Sequence, residues 1–293
     1  MIKINVSGME EVKDVSQRVT GEDSRKFSRR RLIRGLINCH RRALGLFYEK
    51  RPVPLSYWLF FRSAVQVLSR SPDPLFSTQN YSQSSGASLP IQELAEVLRD
   101  DLLGVWALDG DTISFLWKVI QRDRPKVIVE CGAGVSTLVF AKGLQKYGFG
   151  STNFASLLSI EQNLWFKEAV EHRLEACGLK DCVTVLHTPI SKEGDYQLDA
   201  NHLREHLGSE KVDWLIIDGP AGPEGCRLST LPFLARFCRP GARWFLDDAF
   251  RDGELGMLNQ WSSLSGIVVE GIYPFGKGLA TGIVKDPEQI TNS

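Results

Sequence analysis

Apolar residues recur along the chain in two rhythms. Between residues 24 and 70, Ile33, Leu36, Ile37, His40, Leu44 and Phe47 return at helical spacing, with arginines on the other faces. Arg51, Pro52, Val53 and Pro54 break that pattern, and Trp58, Phe61, Val65 and Leu68 form a second stripe. Two helices are predicted, the second capped by Ser56. Residues 71–89 are rich in Ser, Pro, Gln and Gly and read as a linker or a long loop. From about residue 90 the rhythm changes to short apolar runs that alternate with helical stretches. Strands are expected at 127–129, 157–160, 183–186, 214–217, 244–246, 267–273 and 279–284. Helices are expected at 91–103, from a cap at Asp111 or Thr112 to about 122, and at 137–147, 164–177, 203–207, 228–237 and 253–261.

That alternation implies an α/β fold, a doubly wound and mostly parallel sheet covered on both faces. The last two strands are too close in sequence for a crossover helix and should pair antiparallel. The chain divides into a polar N-terminal tail (1–23), a basic helical extension with linker (24–89), the α/β domain (90–285) and a polar C-terminal tail (286–293).

Composition adds little until it is read by position. The 293 residues carry 35 Lys+Arg and 35 Asp+Glu, with 43% hydrophobic residues, as in an ordinary globular protein. This excludes wholesale disorder and a disulfide scaffold, and argues against a nucleic-acid binder acting through its overall field. The zero conceals an asymmetry. Residues 25–51 hold ten cations against Glu49 alone, a segment of +9 facing a remainder of −9. The basic helix suits a solvated cap on the main domain, with a membrane surface or an acidic partner as alternatives. The aromatic run at 58–61 suits a core contact, a dimer contact or a substrate lid, so a homodimer stays open. Residues 1–21 lack the apolar core of a secretory signal, and 57–68 is short and contains Arg62. Six scattered cysteines without a CxxC pair fit reduced thiols, and a cytoplasmic location is expected.

The chemistry concentrates at strand ends. The run from Val127 to Thr137 is a strand, the turn Gly132-Ala133-Gly134 and a helix start. Such a turn approaches a ligand closely and presents free amides to it. A dinucleotide turn needs a third glycine, and Thr137 stands there instead. Glu130, two residues before Gly132, suits a cationic amino group and would repel a pyrophosphate. Glu161 ends the second strand, followed by Gln162, where a carboxylate can accept both hydroxyls of a ribose.

With these features the sequence resembles the class I S-adenosylmethionine (SAM)-dependent methyltransferases over about residues 105–285. The resemblance rests on the Glu-x-Gly-x-Gly run at 130–134, on Glu161, on residues 213–220 and 240–248, and on the closing hairpin with Gly276-Lys277-Gly278. It implies the strand order 3-2-1-4-5-7-6, with the last strand antiparallel, and SAM as cofactor. It also implies cofactor contacts from Glu130, Gly132, Gly134, Ser136, Glu161, Gln162 and Asp218. Residues 134–137 and 247–251 look most like a small-molecule O-methylating branch, with a small-molecule or glycan-like acceptor. At the end of the third strand, His187-Thr188-Pro189 lacks the acid many members use for adenine, so that contact must come from a backbone group, Thr188 or elsewhere.

Asp218, Asp247 and Asp248 should converge at neighbouring strand tips and are the candidate catalytic residues. Three carboxylates repel one another unless protonated, paired or bound to a cation. The layout resembles metal-dependent O-methyltransferases, in which these acids would hold Mg²⁺. Pairing with Arg251 or Arg227 is a second reading, and a general-base aspartate in a metal-free transfer is a third. A noncatalytic SAM- or nucleotide-binding protein and an NAD-dependent oxidoreductase are the functional alternatives. His202-Leu203-Arg204-Glu205-His206 matches an inverted zinc-protease pattern, but it lies away from the expected crevice and reads as a helix surface.

Overall fold

The computed structural model describes residues 51–69, 92–94, 97–98, 108–147, 157–274 and 276–292, together with Gly35, Cys39 and His40. The tail 1–23, most of the basic segment 25–51, the linker 71–89 and much of the expected helix 91–103 lie outside them. Within 91–103, Gln92–Leu94 forms a single 3₁₀ turn.

Among the described residues seven strands form one sheet: β1 (Ile128–Cys131), β2 (Leu157–Glu161), β3 (Val183–His187), β4 (Val212–Ile217), β5 (Cys238–Leu246), β6 (Ile267–Tyr273) and β7 (Leu279–Val284). Their order is 3-2-1-4-5-7-6, with β7 antiparallel to both neighbours, as the sequence led one to expect. The helices whose two ends lie among the described residues are α1 (Leu55–Ser69), α2 (Gly110–Asp123), α3 (Val135–Tyr147), α4 (Leu164–Ala176), α5 (Ala200–Leu207), α6 (Thr230–Ala235) and α7 (Asp252–Trp261).

Strand alternation sorts the core. Ile128, Leu157, Trp214, Ile216 and Phe245 face the layer formed by α2, α3 and α4. Val129, Cys131, Leu158, Ile160, Leu215, Ile217, Trp244 and Leu246 face the opposite layer, which holds α1, α5, α6 and α7. β1, β2 and β4 are buried throughout, which is why they read as continuous apolar runs. β5 starts earlier than expected. Its first residues include Pro240, which a strand tolerates where one edge is unpaired, and β7 joins only from Ala242.

Two caps differ from expectation. Asp109, not Asp111 or Thr112, caps α2, its Oδ1 accepting from the amides of Asp111 and Thr112 at 3.0 Å each. Gly110 starts the helix, so the earlier aspartate is the one outside it. Ser56 lies inside the first turn of α1, because the helix begins immediately after Pro54.

The N-terminal segment is joined to the domain. Val53 and Ile272 exchange both backbone hydrogen bonds, at 3.0 and 2.9 Å, covering part of the exposed edge of β6. Arg62 pairs with Asp252 on α7 at 2.5 Å. Trp58 is 1% exposed and meets Phe250 edge to face, ring centres 4.6 Å apart. At the other end Ile290 is buried, so residues 286–292 fold back onto the domain.

All six cysteines are free thiols. Among the described residues no helix is long and apolar enough to cross a membrane.

Trp58→Ala should destabilise the protein by about 3–5 kcal/mol in denaturant unfolding, the usual cost of emptying a buried indole site. A change below about 1 kcal/mol would mean that α1 does not dock on the domain in solution.

Candidate active site

The period of β1 places Glu130 on the side of Ile128, toward α3, with Ser159 opposite it on β2. The carboxylate is fully buried. Its Oε2 accepts from Thr137 Oγ1 at 2.6 Å and from Ser159 Oγ at 2.8 Å. The Thr137 hydroxyl in turn accepts from the Gly134 amide at 2.9 Å. Thr137 therefore ties the glycine turn to the strand below it. Strand alternation puts the Glu130 carboxylate beneath the turn, where Oε2 is held by hydroxyls and the buried Oε1 has no hydrogen-bond partner among the described residues. Thr137, which the sequence shows in place of a third glycine, is the link between the acid and the turn. Burial pushes the Glu130 carboxyl up to about 7, against the opposing hydroxyls of Ser136, Thr137 and Ser159.

The two glycines of the turn differ. Gly132 has φ +96°, and a Cβ there would stand 3.0 Å from the backbone nitrogen of Gly219. The turn and the chain leaving β4 thus touch through backbone. At Gly134 a Cβ would meet nothing within 4 Å, so the turn has open space beside it. Ser136 is buried in the first turn of α3.

Glu161 stands at the lip of this space. Its Oε2 accepts from the Ala133 amide at 3.0 Å and its Oε1 from the Asn163 amide at 2.7 Å. Burial raises its pKa, with those amides pulling the other way. Each oxygen keeps a further lone pair. Asn163, not Glu161, caps the following helix. The Gln162 amide grips Ala221 on the loop after β4, donating to the oxygen at 3.1 Å and accepting from the nitrogen at 2.7 Å. Its side chain braces the two loops against each other. Thr188 is buried, and its amide is taken by the Glu161 carbonyl at 2.8 Å.

The three aspartates do converge. One oxygen from each of Asp218, Asp247 and Asp248 lies within 4.8 Å of the others. Asp247 and Asp248 are almost fully buried and Asp218 is partly open. Three cations meet them. Arg251 pairs with Asp248 Oδ2 at 2.5 Å. Arg227, itself buried, approaches Asp248 at 3.5 Å and Asp218 at 3.8 Å, and donates to the Asp247 carbonyl at 3.2 Å. Lys277 Nζ lies 3.0 Å from Asp247 Oδ2 and 3.0 Å from Asp248 Oδ1. Glu254, fully buried, adds a fourth acid 3.8 Å from Arg251.

These neighbours split the carboxyls. Burial and the adjacent Asp248 push Asp247 well above the usual range. Burial also raises Asp218, against Lys277 and Arg227. At Asp248 burial opposes the charge, but Lys277, Arg227 and Arg251 together hold the carboxyl below its ordinary value. Asp248 also sits at φ +59°, a left-handed conformation sustained by this ring of ion pairs.

The sequence offered Arg227 and Arg251 as partners, and both pair. Lys277 was legible there only as part of the closing hairpin. The available signal was topological: an antiparallel β7 must begin at the end of the sheet where β4 and β5 finish. His202 and His206 sit on α5 with ring centres 5.0 Å apart, and among the described residues no third ligand joins them.

Residues 129–249, from β1 to the turn after β5, match the model of a family described as a methyltransferase domain. The resemblance to the class I methyltransferases is borne out by this match together with the strand order. No curated protein matches the chain in sequence. Among solved structures, a methyltransferase from Geobacter sulfurreducens is 19% identical, covering 62% of this chain and 81% of that one, with a TM-score of 0.47. An O-methyltransferase from Bacillus cereus in complex with SAH is 16% identical, covering 66% and 96%, with a TM-score of 0.48. The O-methyltransferase TomG from Streptomyces achromogenes, involved in tomaymycin synthesis and in complex with SAM, is 17% identical, covering 67% and 87%, with a TM-score of 0.46.

The elevated Glu130 pKa carries a stability signature. The folded state holds its proton up to about pH 7, whereas an unfolded glutamate releases it near pH 4.5. Stability from this group therefore falls as pH rises across that window, by about 3 kcal/mol in all. Glu130→Gln keeps the neutral shape without titrating. Urea unfolding should show the variant gaining on the parent protein between pH 5 and pH 8. A difference that does not vary with pH would mean Glu130 is ionised throughout.

Proposed function

We propose that the protein is a SAM-dependent methyltransferase that transfers the methyl group to an oxygen of a small-molecule or glycan-like acceptor. One observation carries the reading: the glycine turn, with Glu161 at its lip, abuts the backbone of Asp218 and Gly219, which leads into the carboxylate cluster. A nucleoside site and a proton-handling site thus share one wall. The methyltransferase-domain match over the same residues supports the choice of chemistry.

SAM supplies an electrophilic methyl group on a sulfonium. The open space beside Gly134 suits close approach of the cofactor's methionine portion, while the free lone pairs of Glu161 suit the ribose hydroxyls. The acceptor oxygen attacks the methyl carbon, the C–O bond forms as the C–S bond breaks, and the sulfonium becomes a neutral thioether. The hydroxyl proton passes to Asp218, the most open carboxylate of the cluster. Alignment does most of the remaining work, so no cysteine is needed as a nucleophile. The Cys131 thiol is buried and its pKa raised by desolvation, which suits a packing role.

Calorimetric titration with SAM, S-adenosylhomocysteine (SAH) and NAD tests this. Binding of SAM and SAH but not NAD is expected. Glu161→Ala should weaken SAM about 10- to 100-fold, the loss of charge-assisted contacts to a buried ribose. Binding of NAD with neither SAM nor SAH would end the proposal. Unchanged SAM affinity in a folded Glu161→Ala protein would move the nucleoside elsewhere.

A further inference from the structure

We propose that Lys277 is the resident cation of the carboxylate cluster, standing where a divalent metal would otherwise sit, and that it holds and stabilises the acceptor oxygen in a metal-independent transfer. The inference rests on the methyl-transfer reading for its chemistry, but its geometry stands alone.

A magnesium ion needs near-octahedral oxygen ligands at about 2.0–2.1 Å. The carboxylates at the tips of β4 and β5 are close enough to be drawn around an ion, but three cations already stand against them. The Lys277 ammonium lies between Asp247 Oδ2 and Asp248 Oδ1, 3.0 Å from each. The other oxygen of Asp248 faces Arg251 and Arg227. Asp218 Oδ1 faces Arg227. Adding a divalent ion would put it against three cations, so the residues present do not fit Mg²⁺ without expelling the lysine.

The lysine is held in place by its backbone. Ala249 and Phe250, which directly follow the two acids, donate to the carbonyls of Gly278 at 2.9 Å and Lys277 at 3.3 Å. Gly276 (φ +53°) and Gly278 (φ +89°) flank the lysine in left-handed conformations. A Cβ at Gly276 would collide with the Asp109 carboxylate, and one at Gly278 with the Phe250 ring. The Gly-Lys-Gly run thus lets the hairpin press flat against the turn after β5 and deliver one ammonium group to the acids.

That ammonium stands against two carboxylates, an arrangement that favours its charged form. With its Nζ 3.0 Å from Asp247 Oδ2 and from Asp248 Oδ1, and the side chain 14% exposed, the ammonium can still offer an N–H to an incoming oxygen. A fixed positive charge at that point favours an alkoxide or phenolate as its proton leaves for Asp218, the role a metal would otherwise perform.

The test titrates the full-length protein with Mn²⁺, followed by calorimetry and electron paramagnetic resonance, with SAH in a parallel titration. The parent protein should bind no Mn²⁺ at millimolar concentration. Lys277→Ala, which leaves the acids without their central cation, should bind it at least tenfold more tightly, whereas Lys277→Arg should behave as the parent. With any acceptor that is turned over, EDTA should leave the rate unchanged and Lys277→Met should lower kcat on the order of 10²–10³-fold. Mn²⁺ binding by the parent protein that is lost in Asp247→Asn, or activity abolished by EDTA and restored by Mg²⁺, would overturn the proposal. The titration and chelation of the parent protein stand even if Lys277→Ala does not fold. Failure of SAH to bind the parent protein would remove the methyl-transfer reading while leaving the metal-free cluster in place.

Discussion

Burying several like charges at one end of a sheet is the constraint on which this region depends. Asp247, Asp248 and Glu254 are nearly inaccessible, and Asp218 lies beside them. Carboxylates removed from water in that number must be protonated or matched, because an unpaired buried charge costs several kcal/mol. The matching groups come from three separate segments. Arg227 arrives on the loop after β4, Arg251 at the start of α7, and Lys277 at the tip of the β6–β7 hairpin. The left-handed backbone of Asp248, the two flanking glycines of the hairpin and the cap of α2 against which it rests all follow from gathering these partners at one point.

A second buried acid organises the neighbouring turn by different means. Glu130 has hydroxyl partners rather than cations, and its raised pKa is the consequence. Through Thr137 it restrains the glycine turn from below. Glu161 restrains the same turn from the side through the Ala133 amide, and Gln162 ties the loop after β2 to the loop after β4. The turn is therefore held from two sides by the strands around it. The contact of Gly132 with Gly219 makes this rigid turn and the charged cluster parts of one surface.

The packing of α1 gives the N-terminal segment a place in the same region. Trp58 rests on Phe250, and Phe250 lies against Gly278 in the hairpin that carries Lys277. Arg62 reaches Asp252 at the start of α7, one residue beyond Arg251. The aromatic run that the sequence could assign to a core contact, a dimer contact or a lid is, at Trp58, a core contact. Phe60, by contrast, is largely exposed.

The sequence by itself determined the sheet. Mostly apolar runs at β1, β2 and β4 implied parallel strands with both faces covered, the short hairpin implied the antiparallel end, and Gly132 with Glu161 marked the strand tips at the glycine turn. These are local or topological properties, legible because strand period, helix period and connection length act over a few residues. The direction of individual polar side chains was not legible in that way. Glu130 turned inward because strand alternation placed it under α3, and Gln162 found a backbone partner 59 residues away. Lys277 is the sharpest case. Nothing near it in sequence is acidic, and its pairing with Asp247 and Asp248 exists only because β7 runs antiparallel beside β5 and brings the hairpin tip to the acids. Charges separated by about thirty residues can be matched only once the chain has folded, and so only the tertiary structure decided which cation the acids hold.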